Sequence, residues 1–262
     1  MAADAAMRYE GATAEALALR LGAPRVDVYE SVTSTMDLAH AAAEAGAPAG
    51  TLIVADRQTA GRGRHGRRWT AAPGAGVWLT MIERPTNAAA LDVLTLRLGL
   101  HAARVLDPYL DAPAQLKWPN DVYANGGKLA GILVEARWQD ERPAWVAIGI
   151  GVNVKLPVDV YGAAAVRPGT SRLELLTALV PTIQAAVRAE GPLGDEEMAE
   201  YASRDAARGR PCREPVVGTV VGISPSGELL VRSGGVVGAY RSGSLVIATP
   251  PGDAGETEVR VQ

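Results

Sequence analysis

Four short strand-like segments follow one another closely between Gln115 and Val154, and they restrict the fold more than any other stretch of the chain. Gln115–Trp118, Val122–Ala124, Leu129–Ala136 and Trp145–Val154 are short, and turn residues separate them, the pattern of strands. Asn125-Gly126-Gly127 joins the second and third, and its tolerance of positive φ closes a hairpin. Val26–Glu30, Thr51–Ala55 and Val77–Met81 are earlier strands. Ser34–Ala45, Ala88–Leu106, Ser171–Glu190 and Asp195–Ala207 read as helices; in the first, Ser34 and Asp37 are spaced as a capping box and Gly46 is the stop. The predicted fold class is therefore α+β, a mixed β-sheet with flanking helices. After Arg210-Pro211 the texture changes to Val-rich strands punctuated by glycine. Residues 211–262 read as a small β-barrel module, too small to bury a rich core alone and expected to pack on the main unit, residues 1–210.

Composition narrows the function classes. With 48% apolar and 21% charged residues and a net charge of −3, nothing global suggests a nucleic-acid binder. Cys212 is the one cysteine, so no intrachain disulfide forms and a reducing compartment fits. The opening MAADAAMRYE lacks the apolar core of a secretory signal, and no run of about 18 apolar residues suggests a membrane span. A cytoplasmic location is expected. Only Lys117, Lys128 and Lys155 are lysines among 26 basic residues, so a retained lysine points to a need for a compact charge rather than a planar fork, the alternative being chance among three.

Three segments carry chemistry. Asp56–Trp69 reads as a loop holding Arg57, Arg62, Arg64, Arg67 and Arg68 against one acid, with Gly61, Gly63 and Gly66 allowing close backbone approach. Positive charge concentrated on a pliable backbone in an acidic protein suits a phosphate, or else is a solvated surface loop or a nucleic-acid contact. No Gly-Lys-Ser/Thr ends it, so it is not a P-loop. Lys117-Trp-Pro-Asn-Asp121 sets a cation, an aromatic and two polar side chains around a proline turn; Asn120 or Asp121 suits Mg²⁺ or ligand hydroxyls, and a charged hairpin corner is the alternative. Lys128 opens an apolar strand in which alternation groups Lys128, Ala130, Ile132 and Val134 on one face. If that face is inward, Lys128 needs an anion; if outward, it solubilises the turn. Gly131, Gly149 and Gly151 either open space for a flat ligand or serve packing. His40, His65 and His101 show no ligand spacing.

Gly61-Arg-Gly-Arg-His-Gly-Arg-Arg-Trp69, Lys117-Trp-Pro-Asn-Asp121, Lys128-Leu-Ala-Gly-Ile-Leu133 and Gly149-Ile-Gly-Val-Asn153 together resemble the signatures of biotin protein ligases, in that family's order. The tail from Pro215 resembles the family's SH3-like C-terminal domain. The resemblance implies a catalytic domain of the class II aminoacyl-tRNA-synthetase-like type. It also implies a two-step reaction: MgATP adenylates biotin, and an acceptor lysine then attacks the biotinyl-5′-AMP. Lys128, Arg62 and Arg64 are the implied catalytic residues. Ser34, Thr35, Met36, Gln58, Arg62, Gly63, Arg64, Lys128, Gly131, Gly149 and Gly151 are the implied biotin site. Arg64, Arg67, Trp69, Lys117, Asn120, Lys128 and Asn153 are implied for ATP, and Asn120 or Asp121 for Mg²⁺. The implied partner is a biotin carboxyl carrier protein or domain of an acyl-CoA carboxylase, with no nucleic acid or membrane partner and a monomeric or homodimeric state. Met36 departs from the family, which usually has asparagine there. The stretch before Glu30 is too short for a helix-turn-helix reader, so a repressor role is not expected. The rival readings are a lipoate or octanoate protein ligase, whose Arg-x-x-Gly-Gly-Gly segment is absent, and a non-catalytic biotin sensor or nucleic-acid-binding module, against which the acidic net charge and Lys128 speak.

Overall fold

The computed structural model describes residues 7–85, 87–88 and 91–248. In chain order the elements are β1 (Arg8–Tyr9), β2 (Ala12–Thr13), α1 (Ala14–Leu21), β3 (Val26–Val32), α2 (Thr35–Glu44), β4 (Leu52–Arg62), β5 (Arg68–Ala71), β6 (Gly76–Glu83) and α3 (Leu91–Leu106). Then come β7 (Gln115–Lys117), β8 (Asp121–Ala124), β9 (Gly127–Gln139), β10 (Arg142–Asn153), α4 (Arg172–Arg188), α5 (Asp195–Arg204), β11 (Pro211–Glu214), β12 (Gly218–Ile223), β13 (Leu229–Ser233), β14 (Val236–Tyr240) and β15 (Val246–Ile247). The helix expected from Ala88 begins at Leu91; Ala89 and Ala90 lie outside the described residues, as do 249–262 of the expected C-terminal module. The N-terminal hairpin and α1 had no counterpart in the sequence reading, although Thr13, which caps Ala16 N at 3.2 Å, and left-handed Gly22 bracket that helix.

The main sheet runs β3-β4-β6-β10-β9-β8-β7, with β5 added on β4. β3 and β4 are parallel and the other pairs antiparallel, so the sheet is mixed, as expected. Strand alternation assigns two faces. Leu52 and Val54, Leu79 and Met81, and Ile148 and Ile150 join the large core with α1, α3 and α4. On the opposite face, Ile53, Ile82 and Ala147 pack under Met36, Ala39 and Ala43 of α2. Burying each leucine or isoleucine contributes about 1.5–3 kcal/mol, so this layering sets which strand positions remain for a site. The C-terminal strands form a five-stranded antiparallel sheet, β14-β13-β12-β11-β15, in keeping with an SH3-like module. It is fastened to the main sheet by the buried Trp118 Nε1, which donates to Gly227 O at 3.0 Å.

Three local expectations are corrected. Asp56–Trp69 is not an irregular loop: β4 continues to Arg62, turns at Arg64–Gly66 and returns as β5, because Gly61 pairs with Trp69 and Arg62 with Arg68. The capping box at α2 does not form, since Ser34 Oγ accepts from Met36 N at 3.2 Å while Asp37 is drawn to Arg62 at 2.7 Å. Lys128 does not share a face with Ala130 and Ile132. Val122 pairs with Ala130 but Tyr123 pairs with Lys128, so Leu129 is an extra residue in β9. This β-bulge reverses the parity and turns Lys128 to the α2 face, with Gly131 and Leu133.

Candidate functional site

A cavity of about 700 Å³ opens on the α2 face, over β6, β9 and β10. The β4–β5 hairpin, the Lys117–Asp121 turn, residues 157–163 and Ser244–Ile247 complete its walls. Every residue implied for biotin, nucleotide or metal lines this one cavity.

One end is a wall of hydrogen-bond donors. Gln58 Oε1 accepts from Thr35 N at 2.9 Å and from Thr35 Oγ at 3.1 Å. A backbone N–H can only donate, so the Gln58 atom facing it is the oxygen, and Nε2 is left for the cavity. Ser34 Oγ already accepts from Met36 N, which leaves its O–H to donate. The chain continues inward: Thr80 Oγ donates to Thr35 Oγ at 2.9 Å, and Thr80 is fully buried. Thr80 carried no signal in the sequence, being a lone threonine within an apolar strand; its inward parity on β6 is what brings it to the site.

The other end is cationic. Lys128 Nζ stands 2.7 Å from Asp121 Oδ1 and 5.1 Å from the centroid of the Trp69 ring. Lys117 Nζ lies 5.6 Å from the Tyr123 ring. Burial pushes the Lys117 ammonium below the usual lysine range; Asp121 opposes this, while the Lys128, Arg67 and Arg210 charges add to it. Burial also lowers Arg64, against the pull of Asp121. Arg67 Nη2 reaches Ser244 Oγ of the C-terminal module at 3.5 Å. A cluster of poorly solvated cations outnumbering its carboxylate is a site for an anion.

The glycines do leave room, and the chain's own side chains enter it. Gly131 and Gly151 are paired across β9 and β10. A Cβ at either would come within 2.9 Å of the Trp69 indole, so only glycine lets that ring lie against the sheet. Over Gly149 sits the Met36 methyl. Trp69 Nε1 is buried and has no hydrogen-bond partner among the described residues. Arg62 turns away from the cations to Asp37 and Glu135, at 2.7 and 2.8 Å. Asn120 donates to Ile132 O at 2.8 Å. Asn153 is nearly buried and donates to Lys128 O at 3.3 Å and to Ala164 O at 3.0 Å, bracing the strand end that bears Lys128. Among the described residues, no group of three His, Cys, Asp or Glu is placed to hold a metal, and no helix is long and apolar enough to cross a membrane.

A mixed sheet bearing a cavity with donors at one end and cations at the other suits a ligand that is polar and neutral at one end and anionic at the other. The model of the Biotin/lipoate A/B protein ligase family matches residues 28–153, and a biotin–[acetyl-CoA-carboxylase] ligase of Mycobacterium tuberculosis is 32% identical over 85% of this chain and 88% of its own length. The chain belongs to this family. A bifunctional ligase/repressor BirA of Bacillus spizizenii is 40% identical over 51% of this chain but only 42% of its own length, so the chain spans less than half of that relative. Among solved structures, the biotin protein ligase of Aquifex aeolicus in complex with biotin and ATP superposes with a TM-score of 0.70 at 26% identity, covering 86% of this chain and 99% of that one.

Proposed function

We propose that this protein is an ATP-dependent biotin protein ligase acting on a biotin carboxyl carrier protein or domain. The observation that carries the reading is that Lys128 occupies one cavity with both the Ser34–Thr35–Gln58 donor wall and the Lys117, Arg64 and Arg67 cations. A urea carbonyl suits the donors of Ser34 and Gln58. The carboxylate at the far end of biotin then meets the nucleotide α-phosphate beside Lys128, whose ammonium offsets the repulsion of two anions and stabilises the charge that grows during attack. Pyrophosphate leaves, biotinyl-5′-AMP forms, and the acceptor lysine's amine attacks the acyl carbon and releases AMP. Arg64, Arg67 and Lys117 receive the phosphates. Trp69, whose buried N–H lacks an acceptor, supplies a face and a donor for the adenine side. Gly131 and Gly151 let the Trp69 ring lie against the sheet and Gly149 admits the Met36 methyl, so these two side chains line the ligand's bed, while Gly63 belongs to the hairpin that covers it.

Mg²⁺ would neutralise phosphate charge and hold the nucleotide. Asp121 and Asn120 offer one carboxylate and one amide oxygen, a donor set that suits an ion keeping its waters and phosphate ligands. Residues 1–210 form the catalytic unit in this reading and 211–262 an accessory module, working in the cytoplasm. The likeness to an ATP and biotin complex and to the mycobacterial ligase supports the assignment. Lipoate has no urea to satisfy the donors, which disfavours that substrate. Pyrophosphate release from ATP tests the proposal: it is expected with biotin and not with lipoate, and release that needs no biotin, or occurs with lipoate alone, overturns it.

A further inference from the structure

A relay of side chains lies outside the cation cluster and joins α2, β9 and β10 to the β4–β5 hairpin. Trp145 Nε1 donates to His40 Nδ1 at 3.0 Å. An indole N–H can only donate, so Nδ1 accepts and the ring hydrogen sits on Nε2. That hydrogen faces Glu135 Oε2 at 3.0 Å, while Glu135 Oε1 accepts from Arg62 Nη2 at 2.8 Å. The second fork of Arg62 reaches Asp37 on the first turn of α2, at 2.7 Å.

Isolated exposed ion pairs contribute little, because each holds two flexible side chains at an entropic cost. This one differs in that Glu135 is committed at both oxygens and its orienting partner, His40, is largely buried, with 14% of its side chain exposed. The hairpin needs such a tie. His65, Gly66, Arg67 and Arg68 are exposed, and a second cavity of about 420 Å³ lies between the hairpin, Leu133 and Glu135, so little apolar packing holds its tip.

We infer that Glu135, oriented by His40, positions Arg62 and through it the β4–β5 hairpin over the cavity. The hairpin carries Arg64 and Arg67 and leads into Trp69, so its placement governs how long a labile acyl-adenylate is shielded from water. That consequence rests on the proposed ligase function; the placement itself does not.

Hydrogen exchange of the amides of residues 61–68, measured without added ligand, tests the relay. His40→Leu should raise exchange about fivefold, Arg62→Ala by a similar factor, and the double variant no further, because both break one chain of contacts. His40→Gln should restore protection, since its carboxamide can both accept from Trp145 and donate to Glu135. Unchanged exchange in His40→Leu, or a full second increment in the double variant, overturns the relay. Glu135→Gln paired with Arg62→Ala reads the same coupling should His40→Leu fail to fold. In the presence of biotin and ATP, the off-rate of biotinyl-5′-AMP should rise in His40→Leu by the same factor and return in His40→Gln; an unchanged off-rate beside raised exchange overturns the link to retention. If wild-type protein makes no adenylate, the functional reading fails while the exchange result still decides the hairpin.

Discussion

Lys128 and Asp121 stand 2.7 Å apart on neighbouring strands, and the extra residue Leu129 in β9 is what turns the lysine to meet the aspartate. Without that bulge the ammonium would point into the apolar core beside Ala130 and Ile132. With one third of its side chain exposed, Lys128 is held by a carboxylate and an indole face, and an incoming anion can take it over.

Removing that ammonium should abolish the chemistry more than the fold. Lys128→Ala is expected to lower biotin-dependent pyrophosphate release by at least about 10²–10³-fold, the scale of a lost electrostatic stabiliser. It also leaves Asp121 without its cation, so Tm should fall; adding Asp121→Asn should recover Tm and not the rate. Lys128→Arg should not rescue, because a planar fork does not fit a place built for a point charge. A near-wild-type rate in Lys128→Ala would remove it from the mechanism.

Lys117 offers the opposite sign on stability. Its ammonium is disfavoured by burial and by the neighbouring cations Lys128, Arg67 and Arg210. Lys117→Met keeps the length and drops the charge, so the protein without nucleotide should gain Tm. The KM for ATP should rise about ten- to hundredfold from the loss of a charge-assisted contact. Calorimetry and initial rates read the two effects, and a lower Tm with unchanged KM would contradict both.

Thr80 should act on affinity alone. Thr80→Val keeps the shape but removes the hydroxyl that donates to Thr35 Oγ, freeing Thr35 to rotate and disordering the Gln58 donor. The expected outcome is a KM for biotin raised about tenfold, one hydrogen bond's worth, with kcat within about twofold. Thr80→Ser should restore it. A fall in kcat at constant KM would place Thr80 elsewhere.

His101 predicts an acid-side weakness. Burial between α3 and α5 holds its imidazole below the ordinary 6.5, and Arg104 and Arg97 add to this, against Glu197 and Glu200. As pH falls through 6.5, the unfolded chain takes up the proton before the folded one does, so stability drops until the folded-state value is reached; above 6.5 this group contributes no slope. The Tm loss between about pH 7.5 and pH 5.5 should therefore be smaller in His101→Gln than in wild type, and an equal loss would clear His101.

Much of the fold was legible because strand and helix periods are local. The apolar runs at Val77–Met81 and Leu129–Ala136 fell within β6 and β9, Trp145–Val154 overran β10 by one residue, and the Gly/Arg segment with the Lys117 turn and Lys128 entered one cavity. The hairpin nature of Asp56–Trp69 was hidden, because five arginines mask a pairing made by backbone groups between Gly61 and Trp69. The place of Met36 was hidden as well, since its methyl lies over Gly149 only once α2 is packed on the sheet.

By itself the order of residues determined which types were available, roughly where most of the strands and helices of the main sheet lie, and that cations and glycines recur in a spacing that resembles a ligase's. Only the tertiary structure decided which way Lys128 points, that Thr80 completes the donor wall, that Trp69 takes the space over Gly131 and Gly151, and that Arg62 answers to Glu135 and His40. The reason is physical: a period along one strand is a property of that strand, whereas a bulge, a cross-strand glycine pair and a relay through four elements exist only once distant backbones have been brought into register.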